Sequence, residues 1–276
     1  MEKTIAAHYG SENLKQKIIA ALEDAGKNPD HLALQDLSVI DQLHTGGHRA
    51  TLALAEKAGL GEKNRIFDAG CGIGGSSRLL AQTLNGPVTG MDLVDEFIDA
   101  ALFLTKSTGF ESRINFLTGD ICHTGLEAGI FDCVWCQHTM MNIKDKKTAF
   151  NEFKRILAPK GTLVLHEVVK GDNGPIHLPV PWADDPAISF LDDWDTIKEQ
   201  LNQAGFTPLF HQDLTDQAMV WWQKVKAAGQ KAAETPRPLG PHVIFGKNGP
   251  LFGTTMDANL QENRIKVVEA VFTAKA

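Results

Sequence analysis

The sequence predicts an α/β protein built on an open, doubly wound, mostly parallel sheet. Three observations carry this expectation. The stretch Arg65-Ile66-Phe67-Asp68-Ala69-Gly70-Cys71-Gly72-Ile73-Gly74-Gly75-Ser76-Ser77 passes from a short apolar run ending in an acid, through a glycine-rich turn, into a helical pattern. That is the strand–loop–helix unit with which open α/β sheets hold nucleotide-like ligands. From there to Phe210, strand-length apolar runs alternate with helix-length amphipathic ones, as parallel strands joined by helical crossovers require. Finally, 276 residues at 43% hydrophobic and 22% charged make an ordinary globular composition, enough for one large domain with a cap.

The elements follow in chain order. Asn13 to Ala25 carries a helical stripe of Leu14, Ile18, Ile19, Ala21 and Leu22, ended by Gly26 and Asn28-Pro29. Leu32 to Leu43 repeats the pattern more weakly with Leu34, Leu37, Ile40 and Leu43. The turn His44-Thr45-Gly46-Gly47 leads to a helix from His48 to Lys57. Short helices ahead of a sheet must pack on something, so residues 1–47 are expected to form a lid over its carboxyl edge. Strand one is expected near Arg65–Asp68 with its helix at Gly74–Leu84, and strand two at Val88–Asp92 with a helix from Asp95 to Ser107 closed by Gly109. Strand three is Ile114–Leu117. Strand four is Phe131–Cys136, followed by a helix from Asp145 to Leu157 and a sharp turn at Pro159-Lys160-Gly161. Strand five is Thr162–Val169, a helix spans Asp193–Ala204, and strand six is Phe206–Phe210. From Thr215 to Asn263 the strand pattern lapses into a helix with Met219, Trp221, Trp222 and Val225, then a Pro/Gly-rich loop from Glu234 to Gly253. The final strand is Ile265–Thr273. The chain thus divides into a lid (1–47), a core (48–214), a cap insertion (215–263) and a last strand (264–276) within one domain.

A net charge of −7 with no basic run argues against nucleic acid and anionic membrane surfaces as partners. Met1-Glu2-Lys3-Thr4 opens onto no apolar leader, and no apolar run approaches the roughly 20 residues that span a bilayer. The expectation is a cytoplasmic protein whose four cysteines are reduced. Cys133-Val134-Trp135-Cys136 matches C-x-x-C but lies within a strand pattern, where small buried side chains explain it better than redox or zinc chemistry. No histidine or carboxylate cluster has metal-ligand spacing, so no metal is expected.

Ligands of open α/β sheets sit beyond the carboxyl ends of the strands. Gly70-x-Gly72-x-x-Gly75, with Asp92 about 20 residues on, matches the dinucleotide fingerprint literally. Asp68, two residues before the first glycine, would repel a pyrophosphate held there. It suits instead a ligand with an ammonium group and no phosphate, such as S-adenosylmethionine (SAM). An NAD-dependent oxidoreductase is thereby disfavoured. Ser76 and Ser77 are placed to serve free N–H groups of the helix's first turn.

Asp68-Ala69-Gly70-Cys71-Gly72-Ile73-Gly74-Gly75, Gly90-Met91-Asp92-Leu93, Gly119-Asp120, Phe131-Asp132 and the run from Phe153 to Leu163 resemble the ordered motifs of the Rossmann-like SAM-dependent methyltransferases. The match covers residues 64–170. It implies a seven-stranded sheet of order 3-2-1-4-5-7-6 with the last strand antiparallel, and SAM as cofactor. By this resemblance Asp68 and Gly70 hold the methionyl end, Asp92 the ribose, and Asp120 and Ile121 the adenine, with Cys71, Gly72 and Leu93 counted as cofactor-binding beside them. Gln137 and His138 lie where the methyl group moves. Shorter stretches at His44-Thr45-Gly46-Gly47, Pro179-Val180-Pro181-Trp182-Ala183 and Pro238-Leu239-Gly240-Pro241-His242 are similar to the small-molecule branch that includes the sarcosine/dimethylglycine methyltransferases. The chain departs from that branch in carrying His166-Glu167 after strand five and a single tyrosine, Tyr9. The implied activity is methyl transfer to a small molecule, an amine of the sarcosine or dimethylglycine type, with an isoprenoid or phenolic acceptor methylated on carbon or oxygen as the alternative. Candidate catalytic residues are His138, His166, Tyr9 and His44, with Glu167, Trp182 and Trp194 as further substrate-side candidates. A homodimer is compatible with this reading.

Overall fold

The computed structural model describes residues 8–9, 13–234 and 237–275. Residues 1–7 and 10–12 of the expected lid, including the Met1–Thr4 start, lie outside the described residues, as do residues 235–236 of the expected loop and residue 276. Seven strands form one sheet in the order β3-β2-β1-β4-β5-β7-β6: β1 (Ile66–Ala69), β2 (Val88–Asp92), β3 (Ile114–Thr118), β4 (Phe131–Gln137), β5 (Leu157–Lys170), β6 (Phe206–Asp213) and β7 (Ile265–Ala274). The first five pair in parallel, and β7 runs antiparallel to both β5 and β6. This is the strand order that the resemblance implies.

Residues alternate between the two faces along each strand. On β4, Val134 and Cys136 join Phe67, Leu163 and Leu165 in a core completed by Phe150, Phe153 and Ile156 of α6 (Lys146–Ile156) and Leu201 of α7 (Trp194–Gln203). Cys133 and Trp135 face the other way, onto Leu54 of α3 (Gly47–Lys57), Leu80 of α4 (Gly75–Leu84) and Ala101 of α5 (Asp95–Ser107). The C-x-x-C pair therefore lies on opposite faces of one strand, both thiols free and buried. The predicted helix starts at Asp145 and Asp193 are N-caps whose side chains accept from Thr148 N at 3.0 Å and Thr196 N at 2.8 Å.

The N-terminal helix α1 (Leu14–Asp24) buries Leu14, Ile18 and Leu22 against Phe97, Ala100 and Leu104 of α5, so it leans on the flank of the core next to β2 and β3. The weaker second pattern shrinks to one turn, α2 (Leu34–Leu37); the chain then leaves the helical path and carries Asp41 to a buried Arg78, 3.1 Å away. Around Pro159-Lys160-Gly161 the strand is not interrupted. The register jumps from Phe131↔Leu157 to Cys133↔Thr162, so the expected turn is a bulge inside β5, with Lys160 at φ 62°. The cap is more helical than expected. Beyond α8 (Thr215–Glu234), the expected loop holds α9 (His242–Phe245) and a 3₁₀ segment, Gly246–Leu251. A further helix, α10 (Phe252–Gln261), follows. Its buried face includes Asp257, paired to Lys226 at 2.7 Å, and Asn259, which donates to His177 O at 2.9 Å. Polar residues on the inner face erase the apolar period that would have announced it.

Candidate active site

The glycine loop is folded by contacts to three strands. Gly70, at φ 74°, turns the chain out of β1, and a Cβ there would lie 2.3 Å from Thr139 Oγ1 at the end of β4. Gly70 N and Cys71 N both donate to Met91 O of β2, at 2.8 and 3.1 Å. Gly72 N donates to Asp92 Oδ2 at 2.9 Å. Gly75, the first residue of α4, lies so close to the lid that a Cβ would meet Asp41 O at 1.9 Å. The loop therefore sits between the lid and the carboxyl ends of β1, β2 and β4. The serines serve side chains rather than the helix start: Ser77 Oγ donates to Asp68 Oδ2 at 2.5 Å, and Ser76 Oγ to Gln137 Oε1 at 2.9 Å. Helix α4 has Gly74 as its N-cap and so no side-chain cap, leaving N–H groups for a ligand.

A cavity of about 1130 Å³, counted with its open mouth, lies over this loop. All ten residues expected to hold the cofactor line it: Asp68, Gly70, Cys71, Gly72, Asp92, Leu93, Asp120, Ile121, Gln137 and His138. Asp92 is fixed at the end of β2 by two backbone donors, Gly72 N on Oδ2 and Val94 N on Oδ1 at 3.0 Å. Each oxygen keeps a second lone pair for a diol. Burial raises its pKa, and those backbone donors offset part of the rise. Asp68 is pushed up to about 7, chiefly by burial; the Ser77 hydroxyl lowers it and the Asp92 charge adds to the rise. Asp120 Oδ1 accepts from Cys122 N at 2.8 Å, which sets the turn after β3 beside Ile121. Asp68 and Asp92 beside the loop, without any Lys or Arg among the described lining residues, suit an adenosyl ligand bearing an ammonium and a ribose diol, and do not suit a pyrophosphate.

The opposite wall is built after β4. His138 sits at φ 53°, rare for a residue with a Cβ, and its N–H donates to His166 O at 2.8 Å. Glu167 accepts from Thr139 N and Met140 N, both at 3.1 Å through Oε2, and burial pushes it up to about 8. Gln137 Oε1 accepts from Trp135 Nε1 (3.1 Å), Ser76 Oγ (2.9 Å) and Thr51 Oγ1 (3.2 Å), while its Nε2 faces His166 Nδ1 at 3.0 Å. Tyr9 OH donates to Asn142 Oδ1 at 2.9 Å, and Asn142 Nδ2 donates to Trp182 O at 2.8 Å and Ile188 O at 3.0 Å, tying the lid to the segment after β5. His44, His138 and His166 form a group with ring centroids 4.8 to 6.1 Å apart. Burial lowers the pKa of all three, that of His166 to about 4.

Of the four catalytic candidates, Tyr9, His44 and His138 line the cavity. His166 does not; it backs Gln137 from within β5. Trp182 lines the cavity, whereas Trp194 stacks on His211 at 4.9 Å, against β6, away from it. Asp41, Leu43, Thr139, Asn142, Phe97 and Phe245 also line the cavity and were not singled out from sequence. Asn142 had a signal in its place after β4; Phe245, in a Pro/Gly-rich stretch, had none.

Residues 67–165 match the family model of the methyltransferase domain. The chain is 28% identical over 180 residues, 65% of this chain and 35% of the other, to phosphoethanolamine N-methyltransferase 1 of Zea mays. It is 25% identical over 200 residues, 72% of this chain and 35% of the other, to the glycine/sarcosine/dimethylglycine N-methyltransferase of Actinopolyspora halophila. It spans between a third and a half of the length of the curated relatives it matches. The solved structure of Haemonchus contortus phosphoethanolamine N-methyltransferase 2 in complex with SAM superposes with a TM-score of 0.72 at 18% identity, covering 97% of this chain and 61% of that one, a likeness of fold. Residues 67–165 are thus similar to methyltransferase domains, and the sheet around them has the strand order that this resemblance implies.

Proposed function

We propose that this protein is an enzyme that transfers the methyl group of SAM to a small molecule bound between the glycine loop and the lid. What supports the reading above all is the convergence of every cofactor candidate, drawn from the ends of β1, β2, β3 and β4, on one cavity. In this reading Asp92 binds the ribose hydroxyls, Asp68 and the free N–H groups of α4 face the methionyl end, and Asp120 and Ile121 meet the adenine. SAM supplies an already activated methyl group, so the protein's own work is to align the acceptor and exclude water. The lid does the latter: Tyr9, Asp41, Leu43 and His44 close one side of the cavity. Tyr9, His44 and His138 are its catalytic-side residues; His166 O accepts from His138 N, and the His166 ring backs Gln137. The four free cysteines suit a cytoplasmic location; among the described residues, no helix is long and apolar enough to cross a membrane.

The acceptor is the finer point. The resemblance implies a carboxylated amine of the sarcosine or dimethylglycine type. The cavity favours the alternative, an isoprenoid or phenolic acceptor, because Met141, Trp182, Phe97 and Phe245 line it and no described Lys or Arg does. Calorimetric titration with SAM, S-adenosylhomocysteine and NAD tests the function. Binding of the first two without NAD is the expected result, and binding of NAD alone would overturn the assignment.

A further inference from the structure

The hydrogen bonds behind the cavity wall fix which nitrogen of His44 carries the proton. Trp135 Nε1 is a donor only, so the Gln137 atom it meets at 3.1 Å is the carbonyl oxygen, and the amide cannot be turned around. Thr51 Oγ1 lies 3.2 Å from that same oxygen and 2.9 Å from His44 Nε2. Thr51 has one proton, and Gln137 Oε1 can never donate. Both contacts are satisfied only if Thr51 donates to Gln137 and His44 Nε2–H donates to Thr51. Thr51 and Trp135 are both fully buried, so no water competes for these positions. His44 Nδ1 is left as a bare lone pair, and it is buried with no partner in the protein. Leaving an acceptor unmet at such a site costs free energy unless a ligand meets it. The same amide sets His166 the opposite way: Gln137 Nε2–H donates to its Nδ1, which puts the proton on Nε2.

From this we infer that His44, a wall residue of the cavity, accepts the proton of a hydroxyl group on an uncharged methyl acceptor, with Trp135, Gln137 and Thr51 as the positioning residues that keep its Nδ1 free. The inference rests on the methyltransferase reading and names its substrate class. Asp68, Asp92 and Asp120 line the cavity, Asp41 there is already paired with Arg78, and no described Lys or Arg lines it, so a phosphate or carboxylate on the acceptor would find no cation to pair with. A hydroxyl oxygen keeps its lone pairs while its hydrogen is donated, whereas a protonated amine has no lone pair to attack with. Burial and the neighbouring His166 hold His44 neutral, as a proton acceptor must be. The step balances: the acceptor oxygen forms the O–CH₃ bond, the S–CH₃ bond breaks with its electron pair remaining on sulfur, and the hydroxyl proton passes to His44 Nδ1. The alkylated oxygen is a strong acid at that moment, so a weak imidazole base suffices. Products are a methyl ether, S-adenosylhomocysteine and an imidazolium that loses its proton to solvent on product release. Among the described residues no group of three His, Cys, Asp or Glu is arranged to hold a metal ion, the three histidines included.

The test uses the full chain and two readouts. Nitrogen NMR of ¹⁵N-histidine-labelled protein, with His44 assigned through His44→Gln, should show Nδ1 unprotonated and Nε2 protonated. Thr51→Val should scramble that pattern and Thr51→Ser should keep it. Methylation is then followed with SAM and an acceptor panel of neutral phenols and terpene alcohols set against sarcosine, phosphoethanolamine and geranyl diphosphate. Neutral hydroxyl compounds should be methylated, and His44→Gln should lower kcat a hundredfold or more with SAM affinity within twofold of the parent. A protonated Nδ1, full activity in His44→Gln, failure of every neutral hydroxyl compound while SAM binds, or preferential turnover of the charged set overturns the inference. Absence of SAM binding would instead remove the methyltransferase reading on which it stands.

Discussion

Asp92→Asn separates ligand binding from folding at one position. The native carboxylate holds Gly72 N at 2.9 Å and Val94 N at 3.0 Å, one on each oxygen. An amide of the same shape keeps one acceptor oxygen and turns an NH₂ toward the other donor, so one backbone bond is lost, a cost of about 1 kcal/mol. Acting against that, burial already disfavours the charged carboxylate, and the neutral amide relieves this. The unliganded protein should therefore change in stability by no more than about 1 kcal/mol. Binding is different. If the carboxylate accepts both ribose hydroxyls, the amide can accept only one, and the surviving bond is no longer charge-assisted. The loss is about 1.5–3 kcal/mol, which is roughly a 10- to 150-fold increase in Kd. Isothermal calorimetry with SAM measures this, and urea unfolding of the unliganded variant supplies the control. Asp92→Ala should weaken binding at least as much, with added loosening of the glycine loop because both backbone anchors disappear. A Kd within twofold of the parent protein in Asp92→Asn would refute the ribose role, whatever the stability data show.

Three further outcomes are expected. Arg78 is fully buried and meets Asp41 through one contact of 3.1 Å, with Arg78 Nε and Asp41 Oδ1 unpartnered; Asp41→Asn or Arg78→Met alone should cost about 3–5 kcal/mol in urea unfolding, while Asp41→Leu with Arg78→Met should recover most of it. If Arg78→Met alone left the urea midpoint unchanged, the pair would not be what docks the lid. Burial raises Glu167 from an ordinary 4.5 to about 8, so the folded protein holds a proton that the unfolded chain has released; the three buried histidines, lowered below 6.5, act with the opposite sign at lower pH, so the fall in stability belongs to the window from about 6.5 to about 8. Glu167→Gln should reduce that slope in urea midpoints measured across the window, and an unchanged slope would exclude Glu167 as a source. Cys133 and Cys136 have thiols pushed up by burial and lie on opposite faces of β4, so neither should react with a thiol reagent before unfolding nor form a mutual disulfide; rapid labelling of either in the native protein would contradict their burial.

Elements whose signals are local could be read along the chain. A period of two or 3.6, a glycine stop and an aspartate N-cap lie within a few residues of what they specify, so Val88–Asp92, Asp95–Ser107 and the helix starts at Asp145 and Asp193 were legible. That the expected cofactor residues would share one wall was legible too, because each lies at or just past the end of a strand and the parallel order places those ends on one edge. The rest depended on contacts between parts of the chain that are distant in sequence. Helix α10 hid its period by burying Asp257 and Asn259, whose partners Lys226 and His177 lie far along the chain. The reach of the lid was set by Asp41 meeting Arg78, and the closure of the site by Tyr9 meeting Asn142 across 133 residues. The proton on His44 was decided by Thr51 and Gln137, 86 residues apart, and by the indole N–H of Trp135. No local pattern encodes such pairings, because a hydrogen-bond partner is chosen by position after folding and not by spacing before it.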